Sequence, residues 1–463
     1  MDSPPSRHLR WSFPAAIAAL GASLRAAAVP SALASTDEVN FALALERFDL
    51  SLHQPHPPGY PLFVLAARAT GWLTDDPALA LALPGITASA VMIAMLMRAL
   101  WPLLGSWGAI VSGLGIAAHP LLVQVGGAPG SDGLALALAG CALAVVLGAG
   151  SAGAWRIPSA SALLGVSLGV RPSNIPLAVA WTLLITMEPG CRREWRRSIA
   201  GLVLGIATWI VPFALYVGPT KLLALNALHT EGHFTSWGGV ALDLGPLAIV
   251  MRIGKVLGHA LAGVFPLVLA AGIAALSKRQ NYRQVLIPAL ASLPLLLWAA
   301  LAQNAEHERH AAPLALVACL GLGTCFTRMR PSFSRPVVAV AALPLIFSLT
   351  ETLSDARRPS DKVEAVTWTA RSLGHERVLL LGTHVPRIAA WHAPLLRVGR
   401  VQSGADVARI ARDFGDHLTV VVTSEVPHLD IPELSLVPLH HFGQTTVYAA
   451  RARSPMTMTD LQP

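Results

Sequence analysis

Ser35-Thr36-Asp37-Glu38, followed by His53-Gln54-Pro55-His56-Pro57-Pro58-Gly59-Tyr60-Pro61, is the stretch on which the reading of this chain turns. Two adjacent carboxylates stand directly after the first hydrophobic segment. Prolines, a glycine and an aromatic residue then make a stiff turn before the next apolar run. Most of the remaining chain is apolar enough for membrane helix, where charge is costly and generally has a reason. A carboxylate pair at the watery end of a span is a place for chemistry. A local explanation competes with it. Ser35 and Glu38 have the spacing of a capping box, in which the serine caps the helix and the glutamate reaches back to the serine N–H. The helix they open carries Phe41, Leu45 and Phe48 on one apolar face, with Asn40, Glu46, Arg47 and Asp49 mostly off it. Such a helix suits the bilayer interface. Capping explains Glu38 better than Asp37, because a first-turn acid gains only about 0.3–1 kcal/mol from the helix dipole.

Composition sets the class. Of 463 residues, 54% are hydrophobic and 13% charged, and the mean hydropathy is +0.56, values of a polytopic membrane protein. The net charge of +8 does not point to nucleic acid, because the Lys and Arg clusters sit in short loops assigned to one side, the positive-inside pattern. Cys141, Cys191, Cys319 and Cys325 fall inside spans or at their cytoplasmic ends, so no structural disulfide is expected. Arg7 and Arg10 before an apolar run, with Ser31-Ala32-Leu33-Ala34-Ser35 beyond it, also fit a signal peptide. A retained first helix is preferred, since cleavage there would detach the anchor just before the acidic pair.

Taken in order, the first span covers residues 11–34 and contains Arg25, which either snorkels to the interface or meets a donor phosphate. Residues 61–73 are apolar but too short to span. Spans follow at 77–100, 106–125 and 132–147, with Arg98 and Arg156 marking cytoplasmic ends. Between the last two, Gly126-Gly127-Ala128-Pro129-Gly130-Ser131-Asp132 is an outer turn, and Ser131-Asp132 reads as a helix start. Residues 157–188 form two short apolar runs broken at Arg171-Pro172-Ser173-Asn174, on the outer side. Arg171 then faces the compartment of Asp37, as a phosphate ligand or as an arginine reaching interfacial water.

A basic loop at 192–197 precedes the span at 199–217, and the outer loop after it holds His229, Glu231, His233, Trp237 and Asp243. The two histidines are four apart, but Glu231 lies on the wrong side of a helix for the zinc-protease arrangement, so a substrate-contacting loop is preferred to a metal site. The eighth span ends before Lys278-Arg279-Gln280-Asn281-Tyr282-Arg283, which is basic again, the next span is 285–302, and residues 303–313 are a dense polar outer cluster containing Arg309 and His310. The span at 313–326, Arg328-Met329-Arg330 and the span at 337–349 complete about eleven transmembrane helices, N-terminus inside and C-terminus outside. From about residue 355 the composition changes. Residues 377–382 and 417–423 read as buried strands, 405–414 as a helix and 445–450 as a last strand. The chain therefore divides into a membrane domain at 1–353 and a small extracytoplasmic α/β domain at 354–463. Gly382-Thr383-His384 lacks a phosphate-loop pattern and is structural or acceptor-binding.

Asp37-Glu38 after the first span, then Pro55-His56-Pro57-Pro58-Gly59-Tyr60-Pro61-Leu62, resembles the first outer loop of the GT-C superfamily of polyprenyl-phosphate-sugar-dependent glycosyltransferases. The likeness is greatest to the protein O-mannosyltransferase-like membrane proteins with a HPPGYPL signature. The signature covers residues 36–63, and the hydropathy layout extends the match over about 10–350. The resemblance implies an inverting sugar transfer from a polyprenyl-phosphate donor to a lipid, glycan or protein acceptor at the outer face of a bacterial inner membrane. It makes Asp37 the general base, with Glu38 beside it. Asp132 becomes a site acid, and Arg309 with His310 before Pro313 matches the phosphate-binding arginine motif near the last spans. His56 and Tyr60 of the signature, with Arg171, join them as substrate-binding residues. No cofactor is implied, and divalent-metal dependence stays open. Readings from other classes are a secondary transporter and a non-catalytic assembly protein. Transporters usually show an internal repeat with helices broken at matching places, and here the break at Arg171 has no counterpart.

Overall fold

The computed structural model describes residues 9–148, 155–187, 191–241, 244–265, 283–327, 331–375 and 377–453. Asp243, residues 278–282 of the basic loop, Arg328-Met329-Arg330 and Arg7 lie outside the described residues, as do the side chains of Arg10, Arg283 and Cys325. Helices α1 (Leu9–Ala27), α2 (Thr36–Glu46), α3 (Pro61–Thr70), α4 (Pro77–Ala118), α5 (Pro120–Gly127), α6 (Ser131–Leu147) and α7 (Arg156–Val170) come first. They are followed by α8 (Ile175–Met187), α9 (Trp195–Val217), α10 (Pro219–Gly232), α11 (Pro246–Leu261), α12 (Arg283–Leu297), α13 (Ala312–Phe326) and α14 (Pro331–Arg357). The C-terminal part runs α15 (Asp361–Ser372), β1 (Val378–Gly382), α16 (Val385–His392), β2 (Arg397–Arg400), α17 (Gly404–Phe414), β3 (Thr419–Thr423), β4 (Leu434–Phe442) and β5 (Thr445–Ala452). These residues form two compact units, 1–30 with 44–357 and 31–43 with 358–463. The segment carrying Asp37 thus groups with the C-terminal residues, where the sequence boundary at 353 kept it with the helices.

In the helical unit, Pro77–Ala118 and Arg192–Val217 are long and apolar enough to cross a membrane, and α5 with α6, bent by 115°, is a third if read as one broken span. Other apolar helices among the described residues are 10–17 residues long. Gly105, at φ 70 and ψ 178, breaks α4 between two apolar stretches, at the place where the sequence separates two spans. Small residues set the closest helix contacts. A Cβ on Gly205 would lie 2.1 Å from the Ala162 carbonyl oxygen, and one on Gly201 would lie 2.2 Å from that of Pro158. The spacing Gly201-x-x-x-Gly205 lets α9 lie directly against α7, a packing that works without a hydrophobic driving force between helices. Polar glue accompanies it. Ser161 and Ser198 hydroxyls are 2.8 Å apart, and the Trp181 indole N–H donates to Ser161 at 2.9 Å, tying α7, α8 and α9 together.

Arg25 takes neither role expected of it. It is buried, 1% exposed, and donates to the carbonyls of Gly21, Ile116 and Ala117 at 3.0, 3.1 and 3.2 Å. The last carbonyls of a helix lack intrahelical partners, and Arg25 supplies them at the end of α4. Gly126 and Gly127 make room for it: Cβ atoms there would lie 2.5 Å from Arg25 Nε and 2.4 Å from its carbonyl oxygen.

The C-terminal unit is a mixed five-stranded sheet of order β2-β1-β3-β5-β4, parallel from β2 to β3 and antiparallel from β3 to β4. Alternation along the strands sends Leu380, Val421 and Val447 to a face packed with Val366 of α15 and Ile388 of α16. Leu381, Val420 and Val422 face the other way, toward Val407 and Ala411 of α17. Both faces of β1 and β3 are covered, which is why those strands read as continuous apolar runs.

The glycine contacts can be tested against an internal control. A Cβ on Gly254 of α11 meets nothing within 4 Å. Gly205→Ala should lower the melting temperature in detergent by several degrees, since the α9 backbone must retreat from α7. Gly254→Ala should leave it unchanged or raise it, as Ala for Gly in a helix gains about 0.5–1 kcal/mol. Equal melting temperatures for the two variants would show that the α7–α9 contact carries no stability.

Candidate active site

Arg171 lies where α7 stops. The chain leaves the helix at φ −146 and ψ 91, and a single 3-10 turn at Pro172–Asn174 leads into α8. Proline allows that exit because it disfavours helical geometry in the residue before it. The side chain turns inward. Its Nε is 2.9 Å from Asp132 Oδ1, its Nη1 donates to Ser131 Oγ at 3.1 Å, and its guanidinium carbon is 6.0 Å from the centre of the Tyr60 ring. Asp132 and Ser131 open α6, so the outer turn and the break after α7 meet through one guanidinium. Arg171 faces neither open water nor an empty pocket.

Tyr60 is delivered by the proline-rich turn. Cis peptides precede Pro55 and Pro58, and Gly59 and Tyr60 both have positive φ. A Cβ on Gly59 would lie 2.5 Å from the Phe213 ring, so the turn needs glycine for space as well as for its φ of 111°. Tyr60 is buried and its hydroxyl is 3.1 Å from His56 Nε2. The aromatic series continues from His56 to His229 at 6.1 Å and from His229 to Trp237 at 4.8 Å. His233 packs on Trp237 at 5.1 Å and hydrogen-bonds the Ala302 carbonyl through Nε2 at 2.8 Å. His229 and His233 therefore border one indole. Among the described residues, no three His, Cys, Asp or Glu side chains converge on a common point.

Arg309 and His310 lie in the 3-10 turn Glu308–Ala311, which starts α13. They line a narrow cleft together with Asp132, Ser173, Asn174, Gln303 and Trp298. Four residues singled out from sequence, Asp132, Arg171, Arg309 and His310, are thus brought to one locality: three line the cleft or its rim, and Arg171 is bonded to Asp132 behind it. Burial first, and then the charges of Arg171 and Arg309, hold the His310 imidazole well below its ordinary pKa. It is neutral at pH 7. The cleft can receive an anion through Arg309 and can offer a neutral imidazole beside it.

Arg252 was not visible in the sequence reading. It donates to the carbonyls of Ala300 at 2.7 Å, Gly239 at 2.7 Å and Gln303. Lys255, one turn on, pairs with Glu306, and His259 Nδ1 is 3.5 Å from Glu308. One face of α11 thereby holds the segment leading to Arg309. The signal was available: three basic residues at i, i+3 and i+7 on an otherwise apolar helix.

Asp37 and Glu38 belong to the other unit. The capping box forms. Ser35 Oγ accepts from Glu38 N at 3.2 Å, and Glu38 Oε2 accepts from the N–H groups of Ala34 at 2.7 Å and Ser35 at 3.0 Å. Burial, opposed by those hydrogen bonds and reinforced by the Asp37 charge, raises the Glu38 pKa.

The buried pair generates a test. Removing one member of a buried ion pair typically costs about 3–5 kcal/mol, because the other charge is left uncompensated. Asp132→Ala should lower the melting temperature sharply, and adding Arg171→Leu should recover part of the loss. A double variant no better than the sum of the singles would mean that the pair is not coupled.

No protein-family model matches this chain, and no curated protein matches it in sequence. Solved structures do. ArnT from Cupriavidus metallidurans bound to undecaprenyl phosphate superposes with a TM-score of 0.57 at 16% identity, covering 94% of this chain and 97% of that one. Its apo state gives a TM-score of 0.58 at 15% identity over the same shares. The Archaeoglobus fulgidus oligosaccharyltransferase in complex with Zn and sulfate gives 0.57 at 15% identity, covering 89% of this chain and 67% of that one. The chain has the fold of these proteins.

Proposed function

We propose that this chain is an integral-membrane glycosyltransferase that moves a sugar from a polyprenyl-phosphate donor to an acceptor hydroxyl at the outer face, with inversion. The observation that carries this reading is the cleft lined by Arg309, His310 and Asp132, in a chain with the fold of a protein crystallised with undecaprenyl phosphate. Arg309 grips the donor phosphate through its planar fork. Its charge then stabilises the phosphate as negative charge develops on the leaving oxygen. Arg171, held by Asp132, braces the cleft from behind, and His310 donates an N–H to the same phosphate. Asp37 accepts the proton of the acceptor hydroxyl as the hydroxyl oxygen attacks the sugar carbon and the phosphate leaves from the opposite face. Glu38 supports Asp37 as its cap. His56 and Tyr60, beside the His229–Trp237 series, contact the sugar. The chain is taken to cross a bacterial inner membrane about eleven times, with the N-terminus cytoplasmic and the residues after about 353 extracytoplasmic.

Phosphate recognition is tested by donor binding. Arg309→Lys keeps charge but loses the fork, so it should weaken binding of undecaprenyl-phosphate sugars, and Arg309→Ala should weaken it further. Donor affinity equal to wild type in the alanine variant would remove Arg309 from the site. An anion beside His310 favours its charged form, so donor binding is coupled to proton uptake there. Affinity should rise as pH falls toward the lowered pKa of the free site, and His310→Gln should flatten the rise.

The acid pair is tested by isosteric amides. Asp37→Asn cannot accept a proton, and loss of a general base costs about 10²–10⁴-fold in rate. It should nearly abolish transfer while donor binding persists. Glu38→Gln still presents an oxygen to Ala34 and Ser35 and should keep more activity. The reverse order would make Glu38 the base. Wild-type rates for both would leave the pair as a cap and remove the main support for the enzyme.

A further inference from the structure

We propose that the C-terminal α/β unit is the positioning element for Asp37, and that Arg387 and His392 are the residues through which it acts. This rests on Asp37 being the base. Three anchors bracket that residue. On its N-terminal side, the Leu33 carbonyl accepts from His392 Nε2 at 2.9 Å. Directly before it, the Ala34 and Ser35 N–H groups are taken by Glu38 Oε2. On its C-terminal side, one helical turn on, the side chain of Asn40 accepts from Arg387 Nε. Leu33, Val39, Asn40 and Phe41 are all 3% exposed or less, so the segment is seated and not draped.

Both clamp residues come from α16, the short helix that follows β1. Its own seat is firm: Val385, Ile388 and Ala389 are buried against the sheet. A structural helix needs only that apolar face. Arg387 lies on its opposite face and His392 at its C-terminal end, and their partners lie 347 and 359 residues away in sequence. The carboxyl ends of β1 and β3 lie at the start of the same helix. There the His384 N–H donates to Glu425 Oε2 at 3.3 Å, and Lys362 pairs with Glu425 at 2.9 Å. The charge of Asp37 acts on His384, which fits a carboxylate held near that edge.

A general base must be held in reach of the proton it takes, and misplacement by about 1 Å can cost about 10²-fold in rate. Arg387→Met and His392→Leu, made in the full-length protein, should therefore lower kcat by about 10–10²-fold with donor KM unchanged. In an Asp37→Asn background the same substitutions should cost nothing further, because there is no base left to misplace. Additive losses in that background would show a merely structural role and overturn the proposal. Hydrogen exchange gives a readout that needs no activity. Amides of residues 34–42 should lose protection in Arg387→Met while those of α7 and α9 keep theirs. Unchanged protection would also overturn it. If protection is lost but Asp37→Asn transfers sugar at the wild-type rate, the clamp stands and the assignment of the base fails.

Discussion

A guanidinium turned into the protein at Arg171 constrains everything around it. Desolvating a charge costs several kcal/mol unless partners replace the water, and no single element supplies them all. Asp132 and Ser131 come from the start of α6, and the ring comes from Tyr60. The start of α6, the end of α7 and the proline-rich turn must therefore converge, and the cleft opens beside that convergence. The electrostatics follow. Asp132 already balances Arg171, burial keeps His310 neutral, and Arg309 is the arginine that lines the cleft. A wall of three full cations would repel itself in the absence of an anion. One half-buried arginine, one arginine balanced by Asp132 and one neutral imidazole avoid that repulsion.

The parts of this arrangement that were legible from sequence were those with a local cause. Pro172, Ser173 and Asn174 announce the break that releases Arg171. Gly59 announces the turn that delivers Tyr60. Val420, Val421 and Val422 announce a buried strand, because β3 is covered on both faces. The edge strands β2 and β4 were missed for the converse reason. Arg397-Val398-Gly399-Arg400 is half exposed, and β4 carries Pro438, His440 and His441. Edge positions tolerate such residues and lose the apolar pattern that marks a central strand.

What was not legible had a partner remote in sequence. Nothing near Arg25 says that its guanidinium will close the end of α4, more than ninety residues on. Snorkelling was the sensible local guess, and it fails because Gly126 and Gly127 open a protein-lined slot. Arg252 is the same case. Its three carbonyl partners lie in the loop at Gly239 and at the helical end 300–303, so its role exists only once those two segments are folded. Both arginines end on backbone oxygens. In an apolar surrounding, an unmet carbonyl is as costly as an unmet charge is dangerous, and a long cationic side chain answers both at once.

The proline-rich signature and the acid pair read as one motif in the sequence, yet they divide between the two units. Tyr60 and His56 are built into the helical unit, whereas residues 31–43 are built into the C-terminal one. Sequence proximity therefore does not explain why the two halves occur together. The proposed function accounts for it: there the group that takes the proton and the groups that hold the phosphate act on opposite sides of the reacting carbon. The capping box fits this view and does not compete with it. Glu38 spends its carboxylate on two backbone N–H groups, which makes it a fastener of this segment. On the proposed function Asp37, one residue earlier and at a different angle around the helix, is the carboxylate that takes the proton.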